Sequence, residues 1–156
     1  MHGGLSWLLI ACLAVLLGVA ALLDWRSRTI PNLLNGAIAL LAIPFWYASG
    51  LDLWPDVALQ IGVAIGVFFL FALAFQLGMM GGGDVKMLSA LALWLPLGSL
   101  FQLIVIMSIA GGVLTAAMVV AHRRSHEPGR PEIPYGIAIS FAGLWLIGER
   151  ILNQFV

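Results

Sequence analysis

Six apolar runs occupy most of the chain and restrict what it can fold into. In order they are Leu5 to Leu23, Leu33 to Ala48, Val57 to Leu77, Val85 to Leu97, Leu100 to Ala121 and Ile137 to Phe155. An α-helix needs about 20 apolar residues to cross a bilayer. Backbone groups in lipid must bond within their own element, and the strict alternation of a closed barrel is missing. The runs therefore predict an all-α integral membrane protein, a bundle of six transmembrane helices in a single domain over residues 1–156.

The composition indicates that lipid is the main solvent. Hydrophobic residues make up 62% of the chain and charged residues 9%, against about 25% charged residues in ordinary soluble domains. The net charge is +0, so nothing indicates a nucleic-acid partner. Cys12 is the single cysteine and can form neither an intrachain disulfide nor a cysteine metal cluster. His122 and His126 have helical spacing, but Pro128 ends any helix there, and we expect no metal and no cofactor.

The basic residues predict how the chain crosses the membrane. Six of the seven follow the first, third and fifth runs, as Arg26 and Arg28, Lys86, and Arg123, Arg124 and Arg130; Arg150, near the end of the sixth run, is the exception. Lys and Arg concentrate in the cytoplasmic loops of membrane proteins. These connections are therefore predicted to be cytoplasmic and both termini external, in a multi-pass membrane protein.

The fourth run is the shortest, and it leaves two possibilities open. Its apolar stretch of about 14 residues would measure about 21 Å as a helix, less than a hydrocarbon core of about 30 Å. It could be re-entrant rather than crossing. That choice would move the loop with Arg123 and Arg124 to the outer face, so a short crossing over residues 85–98 is favoured.

Two aspartates abut apolar runs on the predicted cytoplasmic side. Asp24 closes the first run, and Asp84 follows three glycines just before the fourth. Ionisable groups at the edge of hydrocarbon are costly and suggest function. Two carboxylates brought close together in such a site share one proton. The ionised member can then activate a water while the neutral member hydrogen-bonds to a substrate carbonyl, which is the chemistry of aspartic peptide hydrolysis.

Three short motifs resemble those of the type IV prepilin peptidases, a family of GxGD aspartic peptidases. The first is Gly81 to Asp84 followed by Val85 to Leu88, the second is Asp24-Trp25-Arg26 with Ile30-Pro31-Asn32, and the third is Pro134-Tyr135-Gly136. Their order and spacing most resemble the short branch that serves Flp, or tight-adherence, pili. The resemblance implies a membrane enzyme that removes a basic leader from prepilin after a glycine, at the cytoplasmic face, leaving a hydrophobic helix as the new amino terminus. The matching catalytic positions are Asp24 and Asp84.

The sequence departs from the larger members of that family. Those carry a cytoplasmic region with paired CxxC motifs and methylate the new terminus, and one cysteine cannot supply four. The resemblance therefore implies a peptidase without methyltransferase activity, with prepilin and membrane lipids as its partners. It does not indicate the oligomeric state.

Several residues near the aspartates have both a structural and a functional interpretation. Pro31 suits the start of the second helix, and Asn32 could orient a carboxylate or a substrate backbone. Lys86 is expected to anchor in the headgroups, since its spacing from Asp84 does not favour pairing. Gly81 and Gly83 allow close backbone approach. The Pro134-Tyr135-Gly136 motif is expected to shape the site, although Tyr135 also suits an interfacial aromatic belt.

A second function class remains open from the sequence alone. Two intramembrane carboxylates could bind protons or a metal ion in a small cation-coupled transporter or transporter subunit. The absence of an internal repeat weakens that alternative.

Overall fold

The computed structural model describes residues 3–125 and 133–153. Within them the chain forms six α-helices, which confirms the all-helical class. They are α1 (Gly3–Ser27), α2 (Asn32–Ala48), α3 (Ala58–Gln76), α4 (Gly82–Ala92), α5 (Leu97–Ser125) and α6 (Tyr135–Leu152). A short kinked segment, Leu53–Val57, in which Trp54 is extended, leads directly into α3.

Four of the described helical stretches are long and apolar enough to cross a membrane. They are Gly4–Ser27, Leu53–Gln76, Leu97–Arg124 and Tyr135–Leu152. The remaining two helices are shorter, with 17 residues in α2 and 11 in α4. Crossing by all six helices, and the side on which each end lies, therefore stay predictions.

The short helix α4 lies at the centre of the bundle, packed against α2, α3 and α6. Its Met87, Leu88 and Leu91 are almost completely buried. By contrast, α3 and α5 expose large apolar side chains on their outer faces, such as Phe69 and Ile109. That pattern is typical of a helix bundle in lipid, where apolar exposure carries no penalty.

Two tryptophans fix the end of α4 against α2. The indole N–H of Trp94 donates to the Ile38 carbonyl at 2.9 Å, and that of Trp46 donates to the Leu93 carbonyl at 2.7 Å.

Since α4 already ends at Ala92, its helix is shorter than the apolar run that predicted it. Leu95 precedes Pro96, and a residue before proline is disfavoured in helical conformation.

The end of α1 and the starts of α4 and α6 lie at the same end of the bundle. The end of α1 lies beside the start of α6, and the segment between α1 and α2 lies beside the start of α4. This end holds both aspartates and is called the aspartate end below.

Candidate active site

Asp24 lies in the last full turn of α1 and is 4% exposed. Its Oδ2 accepts a hydrogen bond from the backbone N–H of Ile137, in the first turn of α6, at 3.2 Å. The first N–H groups of a helix have no partner within it, and a helix N-terminus attracts negative charge. The start of α6 therefore holds this carboxylate in a fixed position.

Glycine at position 136 allows the Asp24 carboxylate to lie this close to the start of α6. A Cβ at this position would lie 2.8 Å from Asp24 Oδ2 and 2.6 Å from Ile30 Cδ1, closer than real side chains pack. The motif residue before it, Tyr135, has its ring against Gly111 of α5. Pro134 precedes the first turn of α6 and is fully buried. The third motif thus lies directly against Asp24.

Asp84 occupies the first turn of α4 and is 7% exposed. Its Oδ2 accepts a hydrogen bond from the backbone N–H of Gly81 at 3.2 Å, so the carboxylate caps its own helix. A Cβ at Gly83 would lie 3.2 Å from Ile30 Cβ and 3.3 Å from the Ile30 carbonyl oxygen. The glycine run therefore serves close packing of α4 on the segment that follows α1.

The two aspartates lie at one site, with Ile30 as the neighbour common to both. Ile30 contacts Gly83 beside Asp84 and Gly136 beside Asp24. Asp84 lies outside the four helical stretches that are long and apolar enough to cross a membrane. Burial raises the pKa of Asp84, and the nearby charge of Asp24 raises it further, to about 7. The carboxylates are thus close enough to influence each other's ionisation, as a pair that shares a proton must be.

The second motif is held by hydrogen bonds around the start of α2. Pro31 precedes that helix and accepts from the N–H of Leu34 at 3.1 Å. Asn32 Oδ1 accepts from the ammonium of Lys86 at 2.7 Å. The side-chain oxygen of Asn32 is therefore engaged by this lysine.

Asn35 is a site residue that the sequence analysis missed. It is 5% exposed, and its amide Nδ2 donates to the Gly83 carbonyl at 3.1 Å. The bond joins α2 to the glycine run directly before Asp84. Asn32 and Asn35 are three residues apart and share one face of α2, which is the signal that could have indicated a polar edge there.

The metal site considered for His122 and His126 falls largely outside the described residues. Residues 126–132, which include His126 and Pro128, lie outside the described residues. Among the residues that are described, no three His, Cys, Asp or Glu side chains group as metal ligands.

This arrangement suits hydrolysis by paired carboxylates. Both acids are buried, each accepts a backbone N–H hydrogen bond, and burial together with the charge of Asp24 raises the pKa of Asp84 to about 7. A pair that holds a single proton offers a base and an acid in the same site.

Comparison with known proteins agrees with the chemistry of the site. No curated protein sequence and no solved structure matched the chain. A family model described as the type IV leader peptidase family matches residues 8–116, which include Asp24, Asp84 and the segments around them. That match spans more than half of the 156 residues. The chain therefore belongs to the type IV leader peptidase family of aspartic-type prepilin peptidases.

Proposed function

We propose that Asp24 and Asp84 are the catalytic pair of this peptidase. The observation that carries the proposal is their convergence: Gly83, which precedes Asp84, and Gly136, which packs on Asp24, both lie against Ile30, and the charge of Asp24 affects the ionisation of Asp84. The site residues around them would be Gly81, Gly83, Gly136 and Asn35.

The reaction follows from one proton shared by two carboxylates. The ionised carboxylate takes a proton from a water molecule as that water attacks the scissile carbonyl carbon. The protonated carboxylate donates a hydrogen bond to the carbonyl oxygen, where negative charge develops. Transfer of a proton to the amine nitrogen then lets the carbon–nitrogen bond break, giving a free carboxyl group on the leader and a free amine on the pilin. Because the pair titrates as a unit, neither role is assigned permanently to one aspartate.

The proposed location of the reaction is the cytoplasmic face of the bacterial inner membrane. The basic residues Arg26 and Arg28 follow the same α1 end as Asp24, and Arg123 and Arg124 lie near the end of α5. The opposite end of the described bundle has Asp52 and Asp56 in the connection before α3. This asymmetry supports a cytoplasmic aspartate end under the positive-inside rule.

The proposed substrate is a prepilin of the Flp type, and the proposed activity is cleavage without methylation. Support for the Flp branch is the order and spacing of the three motifs noted above. Support for the lack of methyltransferase activity is that Cys12 is the single cysteine in the sequence, so two CxxC motifs cannot form. The cation-transporter alternative is not proposed, because the family match favours a peptidase.

The test is co-expression with prepilins encoded near this gene, followed by mass analysis of the pilin. Wild-type enzyme should remove one leader and leave an unmethylated amino terminus. Asp24→Asn and Asp84→Asn should each leave the leader in place, while Asp52→Asn, a matched change in the connection before α3, should cleave normally. Normal cleavage by either of the first two variants would refute the proposed pair, and a methylated product would refute the peptidase-only assignment.

A further inference from the structure

A groove with a volume of about 560 Å³ runs between α2, α3 and α4. One end lies beside Asn32 and Lys86, at the aspartate end. Away from that end it is lined by apolar side chains, including Ile61, Ile65 and Phe68 of α3. The α2 side has small residues at Gly36 and Ala39. Small residues on one wall let another helix approach closely within a membrane.

Asn35 lines this groove and has an unused hydrogen-bond acceptor. Its Nδ2 must be the atom that faces Gly83, because a carbonyl oxygen only accepts. Its Oδ1 is buried and has no hydrogen-bond partner among the described residues. Leaving such an oxygen unpaired costs about 1–3 kcal/mol. A donor that enters from the groove would remove that cost.

We propose that this groove binds the apolar helical segment of the substrate that follows the cleavage point, and that Asn35 Oδ1 accepts a backbone N–H of that segment. The inference rests on the proposed function, since it places the substrate next to Asp84. The first N–H groups of any helix lack partners within the helix. A substrate helix that begins at the aspartate end therefore places unpaired backbone N–H groups beside Asn35, which lies in the first turn of α2.

Two features favour this occupant over the alternatives. A lipid acyl chain would fill the apolar part of the groove but has no donor for Asn35. A basic leader is disfavoured at the mouth because the ammonium of Lys86 lies there. The α2 residues along the groove, Asn32 to Ala39, span about 12 Å, or roughly two helical turns. The groove thus suits the first turns of an apolar helix, with the leader outside it.

Gly36→Phe tests the groove because it places an aromatic side chain at a position that lines it. A Cβ at Gly36 meets no atom within 4 Å. The matched control is Gly66→Phe on α3, where a Cβ also meets no atom within 4 Å. For cleavage of a full-length prepilin in detergent, Gly36→Phe should raise KM by about tenfold or more. Gly66→Phe should leave KM and kcat as in wild type.

Cross-linking gives a readout that does not depend on turnover. In an Asp84→Asn enzyme with Cys12→Ser, a cysteine at Ala39 should form a disulfide with a cysteine in the first two turns of the prepilin's apolar segment. A cysteine at Gly66 should not. Equal cross-linking at both positions would overturn the proposal that the groove binds the apolar segment of the substrate. A wild-type KM in Gly36→Phe would overturn it as well, and the groove would then be a lipid-filled surface. That failure is distinct from failure of the proposed function, which would appear as cleavage by the Asp24→Asn and Asp84→Asn enzymes.

Discussion

Gly136→Ala is a one-methyl change that should slow cleavage without replacing an ionisable group. The added Cβ would lie 2.8 Å from Asp24 Oδ2, 3.0 Å from Asp24 Cγ and 2.6 Å from Ile30 Cδ1. The Ile30 methyl group is the far end of a flexible side chain and can rotate aside. The Asp24 carboxylate is short and is held by the Ile137 N–H at 3.2 Å, so it must move as a whole.

The size of the effect follows from that distance. Ordinary van der Waals contact begins at 3.4 Å, so the oxygen must retreat by about 0.6 Å from its position at 2.8 Å. A misplacement of about 1 Å in a catalytic group can cost about 10²-fold in rate. We therefore expect kcat to fall by about tenfold or more, equivalent to about 1.4 kcal/mol in the activation barrier.

The assay is cleavage of a purified prepilin by purified enzyme in detergent, followed over time by gel or mass spectrometry. Gly148→Ala is the matched control, since it lies on the same helix and its Cβ would meet no atom within 4 Å. Gly148→Ala should have wild-type kcat. Equal rates for wild type and Gly136→Ala, with both proteins folded, would refute the close contact between α6 and Asp24.

Three further predictions concern the surroundings of the pair. The kcat/KM of wild type should decline as the pH rises above about 7, because Asp84 then loses the proton that the pair shares; a profile that stays level through that range would contradict the shared proton. Asn35→Leu should change the free energy of unfolding by less than about 1 kcal/mol, because it removes both the bond from Nδ2 to the Gly83 carbonyl and the unpaired Oδ1; a much lower midpoint of thermal unfolding in detergent would contradict the unpaired oxygen. Trp94→Phe should destabilise the protein by about 1 kcal/mol by removing the buried hydrogen bond to the Ile38 carbonyl, whereas Trp145→Phe, which loses an exposed bond to Glu149, should cost less in the same thermal unfolding assay; equal losses would contradict the role assigned to Trp94.

The sequence was sufficient to predict the class of fold, because lipid leaves few choices for a long apolar run. It was less informative about where α4 begins and ends. The run from Val85 to Leu97 predicted a later helix than the observed Gly82–Ala92. Glycine has poor helix propensity, so a triple glycine indicates a loop. In the folded chain, however, the Asp84 carboxylate caps this segment and Gly83 packs on Ile30.

The candidate site was predictable in part. The two aspartates stood out because charge is rare in this chain, and the spacing argument against an Asp84–Lys86 pair agrees with the bond from Lys86 to Asn32. Asn35 was missed because its partner, Gly83, lies 48 residues away in the chain and only the fold brings them together. The steric role of Gly136 also depends on a distant residue, Asp24, and no local pattern shows it.

The most direct test of the account is a comparison of single and double replacements of the two aspartates. Purified Asp24→Asn, Asp84→Asn and the double variant would be assayed for prepilin cleavage, with thermal unfolding in detergent to show that each is folded. Residues that act as one catalytic unit are strongly non-additive. We predict that each single replacement lowers the cleavage rate to a small residual level and that the double replacement has the same residual rate. Near-wild-type cleavage by either folded single variant would contradict a reaction that depends on both carboxylates.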